Sequence, residues 1–219
     1  LDSSVAFTAM ERTRKGKGLT EDLIVEMKKC DVPDWYIESC QKIKYMFPKA
    51  HAAAYTIAAL RLGWFKVYEP VAFYAAYFTI KADTFDGGLV MQGLRAIKAK
   101  MRELQNAQNL TAKDEDMLVI LNLVAEMYAR GVEFLPVNIF KSHAFKFLPE
   151  DGKVRLPFTS LSGLGQGAAE RIQNAVATGR VTTVEELSME PGVGKSVVEM
   201  LRNHGCLDDL PESNQFTLF

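Results

Sequence analysis

Apolar residues recur along most of this chain at spacings of three and four, the period of an α-helix that turns one face to a core. The pattern predicts a helix over residues 21–29, with Thr20 as N-cap and two acidic residues in its first turn, and a second over residues 35–44, introduced by Pro33 and Asp34. A longer helix is expected over residues 49–67. Pro48 precedes it, where a missing N–H costs nothing, and Ala50 and Ala52 to Ala54 are the strongest helix formers. Glu69-Pro70 breaks that helix, and residues 71–80 are apolar on all sides, as in a core helix. After Asp86-Gly87-Gly88 a single amphipathic helix is expected over residues 90–105, with Leu94, Ile97 and Met101 on one face. Thr111 and Asp114 form a capping-box-like start for another, ending at Gly131, with Leu118, Leu121 and Ala125 inward. Two-residue alternation is confined to residues 145–148 and 154–158, a β-hairpin across Glu150-Asp151-Gly152. Helices over 168–177 and 195–203 complete a mainly α chain.

Three stretches ask for more than packing. In Met46-Phe47-Pro48-Lys49-Ala50-His51-Ala52-Ala53-Ala54-Tyr55, four-residue spacing puts His51 and Tyr55 on one face, and the alanines keep that face narrow enough for a base pair. Lys49 lies in the first turn, where free N–H groups and the helix dipole favour phosphate. Alone, the same stretch also fits a buried helix with a satisfied histidine. Next, Leu161-Ser162-Gly163-Leu164-Gly165 and Glu190-Pro191-Gly192-Val193-Gly194 each place two glycines around an apolar residue just before a helix, so that backbone N–H groups can open toward an anion. One copy fits equally a turn that ends one helix and starts the next, but the pair resembles a tandem helix-hairpin-helix module, which implies a grip on duplex backbone through Gly163, Leu164, Gly165, Gly192, Val193, Gly194 and Lys195. Last, the tail places Gln215, Phe216, Leu218 and Phe219 after the final helix with nothing left to pack on, the mark of a docking peptide.

Charge adds an asymmetry. The chain's net charge is −1, but residues 1–66 carry 11 Lys+Arg against 8 Asp+Glu, whereas residues 160–219 carry 4 against 8. Arg12, Arg14, Lys15 and Lys17, set around Gly16 and Gly18, form a cationic patch suited to a triphosphate or a DNA backbone, or simply a solvated surface. Cys30, Cys40 and Cys206 are scattered outside C-x-x-C spacing, and the three histidines are far apart, so neither disulfides nor a zinc site is expected. No apolar run is long enough to span a membrane and residues 1–10 lack a signal-peptide pattern, which sets the expectation of a cytoplasmic protein. The chain starts at Leu1 without an initiator methionine and is expected to be a piece of something longer.

These motifs occur inside longer blocks. Residues 42–78, KIKYMFPKAHAAAYTIAALRLGWFKVYEPVAFYAAYF, together with R-K-G-K-G-L at Arg14, D-V-P-D-W-Y at Asp31, L-S-G-L-G at Leu161 and G-C-L-D-D-L-P at Gly205, resemble the C-terminal part of the PolC-type bacterial DNA polymerase III α subunit. The resemblance implies a polymerase fingers region over residues 1–158, a tandem helix-hairpin-helix module over 159–210 that binds primer-template duplex DNA, and a tail over 211–219. The tail resembles the Q-x-x-L-F peptide that docks on the sliding clamp (β subunit), with Phe216 where Leu is common. It further implies that Lys49, Arg14, Lys15 and Lys17 meet the phosphates of the incoming dNTP and that His51 and Tyr55 meet the nucleotide and nascent base pair, with Phe47 and Arg61 in second line and Lys66 too far along the helix. The palm domain, with the aspartates that hold Mg²⁺, would lie upstream of this chain. Asp114/Asp116 matches D-x-D only formally, being explained by capping. The competing reading is a stand-alone helix-hairpin-helix accessory with a clamp-docking tail.

Overall fold

The structure is a computed structural model that describes residues 1–81 and 84–214. It is mainly α-helical, as the periodicity requires, and its contacts divide it into two units, Leu1–Leu62 and Gly63–Phe219.

The first unit is a small helical cluster. Helix α1 (Ser3–Arg14) has no counterpart in the sequence expectation, because its apolar residues are sparse; Asp2 starts it by accepting a hydrogen bond from the Ser4 N–H at 2.9 Å. α2 (Glu21–Lys29) falls where predicted, although Thr20 makes no side-chain cap, and α3 (Asp34–Lys42) starts one residue earlier than expected. Ala9, Leu19, Met27, Ile37 and Cys40 form the core. The Gln41 amide clips the loop after α1 by bonding both the N–H and the C=O of Leu19, at 3.2 and 3.1 Å. α4 (Lys49–Tyr68) begins in this unit and ends in the next, and none of its residues is buried.

In the second unit one core runs from Tyr74 to Leu210. α5 (Pro70–Lys81) buries Tyr74, Ala75 and Phe78, as its all-round apolarity demanded. The helix expected over residues 90–105 is two: α6 (Gly87–Met91), capped by the Asp86 carboxylate on the Leu89 N–H at 2.9 Å, and α7 (Leu94–Gln105), restarted at Gly93. The apolar period continues across the break and so conceals it. α8 (Ala112–Ala129) has the full capping box of Thr111 and Asp114. Its buried stripe is Ile120, Leu121, Val124 and Met127; of the three residues expected inward only Leu121 is fully buried.

The expected hairpin exists but is shorter and shifted, β2 (Leu148–Glu150) against β3 (Lys153–Arg155), and a third strand, β1 (Phe134–Leu135), pairs in parallel with β3. A two-residue strand has no alternation to detect. Phe78, Phe85, Phe134 and Phe147 interlock over this sheet with ring centroids 4.8–5.6 Å apart for the closest pairs. Beyond a 3₁₀ turn (Phe158–Ser160) follow α9 (Gln166–Ala177), α10 (Val184–Met189) and α11 (Lys195–Asn203). The core therefore crosses residues 158 and 159 without interruption.

Two ionic nodes brace the second unit. The Glu126 carboxylate accepts from Lys66 Nζ at 2.8 Å and from the buried Tyr74 hydroxyl at 3.1 Å, so Lys66 is committed to the scaffold. Burial first, and the neighbouring carboxylate second, push the Tyr74 phenol up to about 12. Glu150 receives both forks of Arg155 at 2.7 and 2.6 Å and Lys141 at 3.0 Å, while Arg155, largely buried, also donates to the Pro136 carbonyl at 2.7 Å. The bond from Arg155 holds the Glu150 carboxyl down at about 2. Because the folded-state value is depressed, the stabilisation is complete above the ordinary carboxylate value of 4.5 and is lost as pH falls toward 2. Glu150→Gln leaves a buried guanidinium half-paired, and is expected to lower stability by about 3 kcal/mol at pH 7 and by much less at pH 2. Denaturant melts at the two pH values check this; equal losses at both would contradict it.

Candidate nucleic-acid interface

The first candidate surface is the start of α4. Ala52 N–H bonds the Pro48 carbonyl, so the helix begins at Lys49 as the sequence requires, and Lys49, His51 and Tyr55 are all exposed. His51 and Tyr55 pack against each other with ring centroids 4.4 Å apart and planes tilted by 50°, and the ladder of tilted rings continues backward through Phe47 (4.8 Å from His51) to Tyr45 (5.5 Å from Phe47). Four exposed rings in a row are the mark of an interaction surface. Tyr45 joins this ladder through the turn before the helix, a proximity that helical spacing could not reveal.

The basic loop after α1 lies beside the same turn, since Met46 N–H bonds the Arg14 carbonyl at 3.1 Å. Its charges are not equivalent. Arg12 is spent on the loop itself, donating to the Gly18 carbonyl at 3.1 Å. Arg14 and Lys15 both pair with Glu11, at 2.7 and 2.9 Å, and hydrogen bonds from these two cations hold Glu11 down at about 2. Lys17 and Lys49 make no ion pair among the described residues. Glu11 was absent from the sequence argument, though its i, i+3 and i, i+4 relation to the two cations was there to be read.

The second candidate surface is the pair of glycine turns, which are the same structure repeated 29 residues apart. Leu164 N–H bonds the Leu161 carbonyl, and Val193 N–H bonds that of Glu190. Ala168 and Ala169 N–H groups bond the Gly165 carbonyl, and those of Val197 and Val198 bond Gly194. Leu164 and Val193 are buried and plug each turn into the core; they face inward, so of the residues expected to meet DNA the four glycines and Lys195 are the exposed ones. Gly165 and Gly194 are the N-caps of α9 and α11 and supply no side-chain cap. The N–H groups of Gln166, Gly167, Lys195 and Ser196 thus have no acceptor among the described residues.

The two glycines of each turn do different work. Gly163 and Gly192 have φ of 91° and 81°, closed to residues with a side chain. A Cβ at Gly163 would lie 3.3 Å from the Met200 methyl of α11, and one at Gly192 would lie 1.7 Å from Arg171 Nη1 of α9. Each turn is therefore seated against the other repeat's helix. Gly165 and Gly194 have ordinary φ of −72° and −75°; Gly165 has nothing within 4 Å of its would-be Cβ, and Gly194 has only Ser196 Oγ at 3.8 Å. Nothing inside the fold requires these second glycines.

A helix-hairpin-helix motif matches residues 131–216. Over its whole length the chain is 48% identical to the DNA polymerase III PolC-type of Clostridium perfringens, 49% to that of Thermotoga petrophila and 46% to that of Bacillus subtilis. The chain belongs to the PolC-type DNA polymerase III family. It corresponds to the C-terminal region and spans about 15–16% of the length of these relatives. Among the described residues no helix is long and apolar enough to cross a membrane. Asp114, the only half of the formal D-x-D with a defined task, accepts from Thr111 N–H and Oγ1 at 3.0 and 2.7 Å. Its carboxylate is occupied by the cap, and the pair does not fit a metal site. The tail residues Gln215, Phe216, Leu218 and Phe219 lie outside the described residues.

In this PolC-type chain the first and second glycines should separate in a stability assay. Gly163→Val forces a side chain into the left-handed region against Met200 and is expected to cost roughly 1–3 kcal/mol, whereas Gly165→Val should stay within about 0.5 kcal/mol of the parent. Chemical denaturation of the two variants decides; equal destabilisation would contradict the division of labour.

Proposed function

We propose that this chain is the nucleotide-positioning and duplex-gripping part of a replicative DNA-directed DNA polymerase, acting in the bacterial cytoplasm. The observation that carries the reading is identity of 46–49% to PolC-type polymerases along the entire chain, including residues 1–158, which a helix-hairpin-helix accessory protein has no reason to share. In this reading residues 1–158 are the fingers region, 159–210 the duplex-binding module and 211–219 a clamp-binding tail.

At the fingers, the ladder from Tyr45 to Tyr55 offers π-faces to the nascent base pair, and His51 adds a ring nitrogen for the nucleotide. Phe47, in the middle of the ladder, belongs with them. Lys49 and Lys17 are the cations free to meet the triphosphate at once; Arg14 and Lys15 reach it only by giving up Glu11. Arg61 is a second-line candidate further along α4. The carboxylates that hold Mg²⁺ for phosphoryl transfer belong to the upstream palm, the partner against which this chain works. At the other end, exposed N–H groups at the two hairpins suit the phosphates of primer-template duplex, which carry no base identity. The tail supplies a local tether, since a polymerase held by a clamp that encircles DNA rebinds its primer end intramolecularly.

Primer extension by the complete polymerase tests both ends. His51→Ala and Tyr55→Ala are expected to lower kcat/KM for dNTP by about 1–3 kcal/mol with an unchanged melting temperature; unchanged kinetics with lowered stability would make both residues structural. Deleting residues 215–219 is expected to leave clamp-free extension intact and abolish the gain in product length that the clamp provides. Full clamp stimulation of the truncated enzyme would remove the docking role.

A further inference from the structure

The duplex-binding reading leaves an electrostatic question, because residues 160–219 carry a net charge of −4 and yet must approach a polyanion. Their four cations are Arg171, Arg180, Lys195 and Arg202. Arg180 is paired with Glu190 at 3.1 Å and Arg202 with Glu212 at 2.7 Å. Arg171 and Lys195 have no ion pair among the described residues, and Glu170, next to Arg171 in the chain, is occupied by the Gln166 amide at 2.8 Å.

We propose that Arg171 is a phosphate-contacting residue of the second hairpin, supplied by the helix of the first. The inference rests on the duplex-binding reading and adds a residue to it. Arg171 leaves the exposed face of α9, beside the buried Ile172, and its guanidinium lies over the turn at Gly192. A Cβ there would meet Nη1 at 1.7 Å, Cζ at 2.8 Å and Cδ at 3.2 Å, so the end of the Arg171 side chain lies where a side chain at position 192 would begin. The group lies against the turn, and among the described residues no carboxylate neutralises it. Three residues further on, the free N–H groups of Lys195 and Ser196 open at the start of α11, with the Lys195 ammonium as the second unpaired cation. A guanidinium over the turn that leads into these two free amides is a fork that can meet the same stretch of backbone phosphate. The glycine at position 192 then serves two ends, the turn itself and the seat of the arginine.

The test is duplex affinity of the complete polymerase, measured by fluorescence anisotropy over a range of NaCl on two unrelated 30-base-pair duplexes. Loss of one phosphate contact lowers the slope of log K against log[salt] by about 0.9. Arg171→Gln, which retains much of the shape, is expected to lower the slope by that amount and to weaken both duplexes equally, while Arg171→Lys retains the slope. An unchanged slope in Arg171→Gln overturns the proposal, as does a reduced slope in both variants accompanied by a lower melting temperature, which would make the residue a brace for Gly192. Gly165→Val, which the fold tolerates, separates the two levels of the argument. If it binds duplex like the parent, the hairpin reading fails; if it weakens binding while Arg171→Gln keeps its slope, only the role of Arg171 fails.

Discussion

The second unit depends on the mutual seating of two glycine turns, each closed by a side chain from the opposite repeat. Gly163 receives Met200 and Gly192 receives Arg171, while Leu164 and Val193 drive the turns into a core that includes Ile172 and Leu201. Positive φ at the first glycine turns the chain so sharply that the following N–H groups face outward at a helix start. The second glycine leaves those groups uncovered. One constraint thereby fixes two similar turns with uncovered N–H groups in a set relation to each other, and the aromatic packing around Phe78 and Phe147 continues the same core back to the sheet and α5.

The first unit works differently. Its core is only five buried residues, and α4, a 20-residue helix of high helix propensity, contributes none of them. Tyr45, Phe47, His51 and Tyr55 touch one another as tilted, exposed rings instead of being buried. Such a ladder keeps its faces available, whereas a packed core would hide them. Among the cations nearby, Glu11 divides those already satisfied from those free to bind, an electrostatic bias that composition cannot express.

Helices with strong apolar periods or clear caps were legible in the sequence: α2, α4, α5 and the Thr111 capping box fall at or within two residues of where pattern and end signals put them. α1 was not, for want of an apolar stripe, and the Gln92-Gly93 break was hidden by continuous periodicity. β1 was too short to alternate, and the stripe of α8 was misplaced by up to two residues because apolar residues surround that helix. At the candidate sites, residue types in helical register were readable from spacing: Lys49, His51 and Tyr55, and the glycines of both turns. What spacing could not show is contact between distant residues. Tyr45 joins the ladder across a turn, Arg171 sits on a glycine 21 positions away, and Leu164 and Val193 turn inward although their motif suggested DNA.

Hydrogen exchange of the complete polymerase, with and without duplex DNA, reads the free amides directly. An N–H that bonds a phosphate is protected from exchange, and one left open to water at a helix start is not. Two equivalent phosphate-binding turns predict that duplex slows exchange in peptides covering residues 163–168 and 192–197 to a similar extent on unrelated sequences. Saturating duplex that leaves exchange in both segments unchanged would contradict the account.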